Sequence, residues 1–153
     1  MNVPQFGVAE VGAVYPDRPA AFAVIERNGL IALVQVERQA RGLVVDLPGG
    51  GIDPGETAGD AAVRECGEEA GLVVAVEPAP FVRADHYFLH NDGVVRNTRG
   101  VFFEGRVMAE DLALKIETDH ELVWMEPQAA LAQLDRDAHA WALASWLRLR
   151  ARG

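Results

Sequence analysis

The chain is 153 residues long, a size that suits one compact domain with its own core. Half of its residues are apolar and a quarter are charged, an ordinary globular composition, and no apolar run nears the ~20 residues that a membrane-spanning helix needs. A formal net charge of −9 argues against a general nucleic-acid binder, which would present a basic face.

The residues Met1 to Glu10 lack the basic start and long apolar stretch of a signal peptide, so a cytoplasmic protein is expected. Strands are expected at Val8 to Tyr15, Ala21 to Ile25 and Leu30 to Val36, the last two joined by an Asn28-Gly29 turn. Leu43 to Leu47 is a shorter strand, stopped by Pro48 and three glycines. A loop from Pro48 to Gly55 leads into a helix with Thr57 as N-cap, Asp60 as the acidic partner of a capping box and Gly71 as the C-terminal stop. Further strands follow at Leu72 to Val76, Phe81 to Leu89 and Val94 to Val107, with a turn at Asn91-Asp92-Gly93 between the last two. After a short strand at Leu122 to Met125, Pro127 starts one helix, and the stripe Trp141, Ser145, Trp146 and Leu149 places a second from Ala138 to Arg150. These tryptophans read as core residues, and the whole as a single mixed α/β (α+β) domain over 1–153.

Charge is unevenly placed. Between Gly50 and Leu72 stand Asp53, Glu56, Asp60, Glu65, Glu68 and Glu69 against the one base Arg64. Residues three and four apart share a helix face, so Glu65 lies beside Glu68 and Glu69, and such carboxylates repel unless something offsets them. Hard oxygen ligands at this spacing suit magnesium or manganese. Arg64 can reach along the helix to orient a carboxylate, and the glycine loop lets backbone approach a metal or a phosphate. The plainer reading is a solvated acidic face. The coincidence of loop, cap, Arg64 and glycine stop favours the site. Cys66, the single cysteine, excludes an intramolecular disulfide, and its carboxylate neighbours favour a buried small residue over a reactive thiol.

The same stretch resembles the Nudix box of the Nudix (MutT-like) hydrolases, Gly-x5-Glu-x7-Arg-Glu-U-x-Glu-Glu-x-Gly-U, where U is a bulky apolar residue. Its fixed letters fall on Gly50, Glu56, Arg64, Glu65, Glu68, Glu69 and Gly71, with Leu72 at the last U; Cys66 at the other U is a small departure. The box covers 23 of the 153 residues. The resemblance implies an α/β/α sandwich with a mixed sheet that hydrolyses a nucleoside diphosphate linked to another moiety, of dinucleoside polyphosphate, ADP-ribose or nucleotide-sugar type, with Mg2+ or Mn2+ as cofactor. It implies metal ligation by Glu65, Glu68, Glu69 and the Gly49 carbonyl, a catalytic set of Glu68, Glu69, Arg64 and Glu56, and a salt bridge from Arg64 to Glu56 holding loop to helix. Which glutamate is the general base stays open, and a homodimer is compatible with the family.

Family members often draw one more acid from outside the box, for which Glu104, Glu117, Asp119 and Glu121 are candidates. Arg83, Tyr87 and Arg99 are candidate substrate contacts, as is Arg96. Period-two alternation sets His86 and His90 on one strand face and Tyr87 on the other. MutT commonly carries lysine after its glycine pair; Gly51 stands here, which weighs against an oxidised-nucleotide substrate. An isomerase of isoprenoid diphosphates on this fold would need a cysteine upstream of the box, and there is none. A non-catalytic nucleotide-binding or regulatory module is the alternative, although such modules usually lose box glutamates.

Overall fold

The computed structural model describes residues 2–153. In chain order its strands are β1 (Gln5–Phe6), β2 (Asp17–Arg27), β3 (Leu30–Arg38), β4 (Gly42–Asp46) and β5 (Gly49–Gly51), followed by helix α1 (Ala58–Ala70). Then come β6 (Leu72–Val76), β7 (Val82–Leu89) and β8 (Val95–Glu110), a short 3-10 turn at Leu112–Leu114, β9 (His120–Met125), α2 (Pro127–Gln133) and α3 (Asp137–Arg152). Among the described residues the sheet is mixed, in the order β1-β7-β8-β2-β3-β4, with β5 also on β2, β6 on β8 and β9 on β3. The pairs β1–β7 and β2–β8 are parallel and the others antiparallel.

Alternation along β2 builds both layers of the core. Ala20, Phe22 and Val24 face one way, into a cluster with Leu33, Phe102 and the α2 and α3 residues Ala130, Leu134, Ala142, Leu143 and Trp146. Ala23 and Ile25 face the other way, against Ala32, Val34 and the α1 residues Cys66 and Ala70, while Ala21 meets Ala61 and Ala62. Helices therefore cover both faces of a mixed sheet, the expected α/β/α sandwich. Because β2 is buried on both faces it reads as an unbroken apolar run. Trp146 is a core residue, and Cys66 is fully buried, its thiol pushed up by burial and by Glu69 and Glu65 nearby.

Two expectations are corrected. Residues 8–15 form no strand, and Val8, Val11 and Val14 are exposed. Gly7 and Gly12 take positive φ there, which breaks the extended run, and valine content alone provides no partner strand. Conversely, the glycines expected in a loop form β5. Gly49, at φ 147°, brings its backbone so close to β2 that a Cβ would lie 2.2 Å from the Ala21 carbonyl oxygen and 2.6 Å from Phe22 Cα. Only glycine fits such an approach, so a strand was hidden behind a composition typical of loops. Among the described residues no helix is long and apolar enough to cross a membrane.

Helix α1 starts and stops where its sequence signals stand. Thr57 is the N-cap, its hydroxyl accepting the Asp60 N–H at 3.1 Å, and Asp60 puts a carboxylate in the first turn, where the helix dipole favours it. Gly71 closes the helix in the left-handed region, at φ 68°. A Cβ there would meet Leu112 and the Asp111 carbonyl at 3.2 and 3.3 Å. Gly71→Ala should therefore destabilise the protein by roughly 1–3 kcal/mol, measured as a lowered urea midpoint with an unchanged slope.

Candidate active site

Arg64 organises the acidic face of α1. Its Nε and Nη2 grip the two Glu56 oxygens at 2.8 and 3.0 Å, joining the loop to the helix. Nη1 donates to Glu65 Oε1 at 3.0 Å and to Glu68 Oε2 at 3.1 Å, and Nη2 also donates to the Gly51 carbonyl at 3.0 Å. Every N–H of the guanidinium is thus used. The hydrogen bond from Arg64, with a second from the Asp53 N–H, holds the Glu56 carboxyl down to about 2. Glu65 moves the opposite way: burial raises it, and Glu68 and Glu117 add to the rise.

Glu69 leaves the cluster its helical spacing suggests. Its Oε1 accepts the Gly49 N–H at 2.9 Å, and its Oε2 lies 3.3 Å from His120 Nε2. His120 Nδ1 in turn lies 2.9 Å from Asp119 Oδ1. The β2–β5 register pairs Ala21 with Gly50, and Ala23 N–H donates to the Pro48 carbonyl. The amide of Gly49 is thereby turned from the ladder towards α1. Glu69 is almost wholly buried, and burial pushes its carboxyl well above the usual range; Glu65, Glu117 and Asp46 push the same way, against the Gly49 N–H.

A further carboxylate arrives through backbone chemistry. The Glu68 carbonyl, near the end of α1, has no helical amide to bond and accepts instead from Ile116 and Glu117 N–H, both at 3.0 Å. Asp111 N–H likewise donates to the Gly71 carbonyl at 2.8 Å. The segment so tethered sets the Glu117 carboxylate beside Glu65 and Glu68, with ligand atoms of all three within 4.8 Å of one another. Room is left for a cation by Gly50, since a Cβ there would lie 2.8 Å from the Glu65 carboxyl carbon. An all-oxygen, anionic donor set of this kind fits a hard divalent ion such as magnesium or manganese. Glu117, Asp119 and His120 form a second such group.

The carboxylates border a cleft of about 550 Å3, a size suited to a nucleotide-sized ligand. Glu65, Glu69, Glu117 and Asp119 line it on one side, and Arg18, Arg38, Arg96 and Arg136 also line it. Arg18 occupies the space beside Gly51, its Nη2 at 3.1 Å from where a Cβ would stand, so β2 puts a cation where a side chain at position 51 would otherwise reach. Of the outlying acids, Glu104 accepts the Trp146 indole N–H away from the cleft, and Glu121 is exposed on β9.

Of the four expected substrate contacts, Arg96 lines this cleft and the other three do not. Arg83 is exposed on β7, Tyr87 packs edge-on against Tyr15 at 4.9 Å, and Arg99 is engaged with Asp17 and Asp85. Alternation on β7 and β8 turns them to the wrong face or beyond the cleft's edge. His90, on the opposite β7 face from Tyr87, does line it. Arg18, His120 and Arg136 were missed because each comes from a different element and no local spacing links them. The Arg-Pro that follows Asp17 and the acid-rich run before β9 were the only local hints.

The model of the NUDIX domain family matches residues 16–147. The chain belongs to that family, and with this fold and every fixed letter of the box present it is a Nudix hydrolase. It is 30% identical over 115 residues to the RNA pyrophosphohydrolase of Sphingopyxis alaskensis, an alignment covering 69% of this chain and 73% of that protein. Among solved structures, a NUDIX hydrolase from Nitrosomonas europaea superposes with a TM-score of 0.73 at 21% identity, over 87% of this chain and 89% of that one, a likeness of fold. A MutT NUDIX hydrolase from Burkholderia pseudomallei superposes with a TM-score of 0.62 at 28% identity, over 84% and 97%.

The Glu56 shift has a definite sign. A carboxyl held below its ordinary value of 4.5 adds stability above that value and loses it as pH falls through about 2. The destabilisation caused by Glu56→Gln in metal-free buffer should therefore be full at about pH 6 and shrink steadily towards about pH 2, read as urea midpoints of both proteins.

Proposed function

We propose that this protein hydrolyses a phosphoanhydride bond in a nucleoside diphosphate linked to another moiety, with magnesium or manganese held by its carboxylates. The observation that carries the reading is the convergence of Glu65, Glu68 and Glu117 beside a nucleotide-sized cleft. A relative that bears the name RNA pyrophosphohydrolase supports anhydride cleavage.

In this reading Glu65, Glu68 and Glu117 hold the cation, with the Gly49 carbonyl as a further ligand. A divalent ion bound there would neutralise phosphate oxygens, stabilise charge on the leaving phosphate and lower the pKa of an attacking water. Arg64 keeps Glu65 and Glu68 in place while Glu56 keeps Arg64 in place. Glu69 is assigned as proton acceptor. Its Oε1 is occupied by Gly49, so Oε2 takes the proton, and burial makes that oxygen more basic than a solvated carboxylate. Work in the cytoplasm on a small nucleotide derivative belongs to the same proposal.

Glu69→Gln should cut turnover by at least ~100-fold, the size usual for removal of a general base or a key electrostatic group. Glutamine keeps the acceptor for Gly49, and the sign of the pKa shift protects the fold. A carboxyl raised above its ordinary value costs stability as pH climbs through the gap between the two. The variant in EDTA should thus be at least as stable as the wild type at neutral pH, measured by thermal melting. The assay is phosphate release from ADP-ribose, diadenosine polyphosphates, NADH, nucleotide sugars, oxidised dNTPs and 5′-triphosphorylated RNA, with and without magnesium. Undiminished turnover by Glu69→Gln at saturating magnesium would sink the base assignment. Inactivity on the whole panel, with no magnesium bound, would indicate a binding module instead.

A further inference from the structure

The lining of the cleft holds more carboxylates than arginines, yet two of its arginines, Arg18 and Arg136, have no carboxylate in hydrogen-bond contact. Arg38 and Arg136 flank one buried carboxylate, Asp46: Arg38 Nη2 lies 2.8 Å from Oδ2, whereas Arg136 Nε lies 3.6 Å from the same oxygen. The first is a direct hydrogen bond and the second is too long to be one. Asp46 therefore hydrogen-bonds Arg38 directly and offers Arg136 only a longer ion pair, which leaves the Arg136 Nε without a hydrogen bond. His139 does not enter the balance, because Leu47 N–H donates to its Nδ1 and burial pushes the imidazole down to about 3. Arg96 is matched by Asp92. Arg18 reaches only His90 Nδ1, at 3.5 Å, and among the described residues no carboxylate lies within salt-bridge distance of it.

Arg136 is only 6% exposed, its guanidinium sits 3.9 Å from the centre of the Phe88 ring, and its Nε has no hydrogen-bond partner. Arg38 Nε and His90 Nε2 are also buried without partners, and all three residues line the same cleft. Buried polar nitrogens without partners are rare, and these three stand together although the neighbouring Asp46 Oδ1 is also buried without a partner, so the carboxylate present does not serve them. Burial, and then Arg96, works against the charge of Arg18; burial, with Arg38 and Arg18 close by, works against that of Arg136 despite Asp46. An anion would relieve all of this. A neutral nucleobase would leave the charge unanswered, and a carboxylate would answer half of it. A terminal phosphate ester carries up to about two charges and each link of a phosphate bridge about one, and either matches the fork of a guanidinium.

We propose that Arg18, Arg38 and Arg136 form a subsite for a second phosphate of the substrate, separate from the diphosphate held at the carboxylates. This rests on the reading of Glu65, Glu68 and Glu117 as the diphosphate site. The substrate is then a nucleoside diphosphate derivative with an additional phosphate, either an ester on one half or further links in the bridge.

Two matched pairs separate these sources: NADH against NADPH for the ester, and diadenosine triphosphate against diadenosine pentaphosphate for the bridge. At saturating magnesium, kcat/KM for the phosphate-rich member of one pair should exceed that of its partner by about tenfold or more, chiefly through KM. The ratio should fall towards one in Arg136→Gln and in Arg18→Gln. Should the Arg136 variant fail to fold, Arg18→Gln carries the comparison, since it leaves Asp46 untouched. Independently of turnover, inorganic phosphate titrated calorimetrically in EDTA should bind the wild type in the millimolar range and lose that binding in Arg18→Gln. Ratios near one in both pairs, with no metal-free phosphate binding, overturn the subsite and leave the hydrolase reading standing. Phosphate binding lost in Arg18→Gln, with neither pair nor any other member of the substrate panel hydrolysed and no magnesium bound, keeps the subsite and removes the hydrolase reading.

Discussion

The site depends on crowding carboxylates that repel one another. Glu56, Glu65 and Glu68 can share a small volume because a single guanidinium lies between them, with every one of its N–H groups spent. An isolated surface ion pair contributes little, but a network of charge-assisted bonds on a planar fork is another matter. Lysine could neutralise one of these charges and could not hold three carboxylates and a carbonyl at fixed angles. The loop's position, the helix face and the donor set all follow from that residue.

The rest of the fold delivers partners to this point. The glycines of β5 let the loop backbone press onto β2, which turns the Gly49 amide towards Glu69. On the far side of the same loop, Asp46 is buried among Arg38, Arg136 and His139, and although burial alone would raise its carboxyl, the two arginines hold it low. The Pro48-Gly49 turn is therefore clamped at both ends by buried polar contacts. One end meets Glu69 through the Gly49 amide and the other meets Arg38 and Arg136 through Asp46, so a single short loop touches both carboxylates and arginines of the cleft.

Local signals were enough for most of the architecture. Helix α1 was legible from Thr57 to Gly71 because caps act within a turn, and the two-sided burial of β2 was legible in its unbroken apolar run. Residues 8–15 misled because valines favour extended backbone without saying whether a partner strand exists. The box located Glu56, Arg64, Glu65, Glu68 and Glu69, yet spacing alone could not tell that Glu69 turns to Gly49 while Glu117 comes in beside Glu65. That exchange is decided by tertiary contacts between α1, β5 and the segment before β9. Arg18, Arg38 and Arg136 come from β2, β3 and the start of α3, and only the folded sheet brings them together.

The tether between the Glu68 carbonyl and the amides of Ile116 and Glu117 has a consequence for how the site comes and goes. Glu117 is placed by its main chain, and the side chains at Leu112 and Ile116 are left largely in solvent. The same tether couples two distant pieces of chain into one opening unit. If the last turn of α1 frays, its carbonyl is released, the segment from 111 to 117 lifts away, and the donor cluster loses a member at once. Local opening of this kind is cooperative, and the amides of Ile116 and Glu117 should exchange with solvent in step with those of the helix end. Opening of this unit thus takes Glu117 away and leaves Glu65 and Glu68 behind on Arg64.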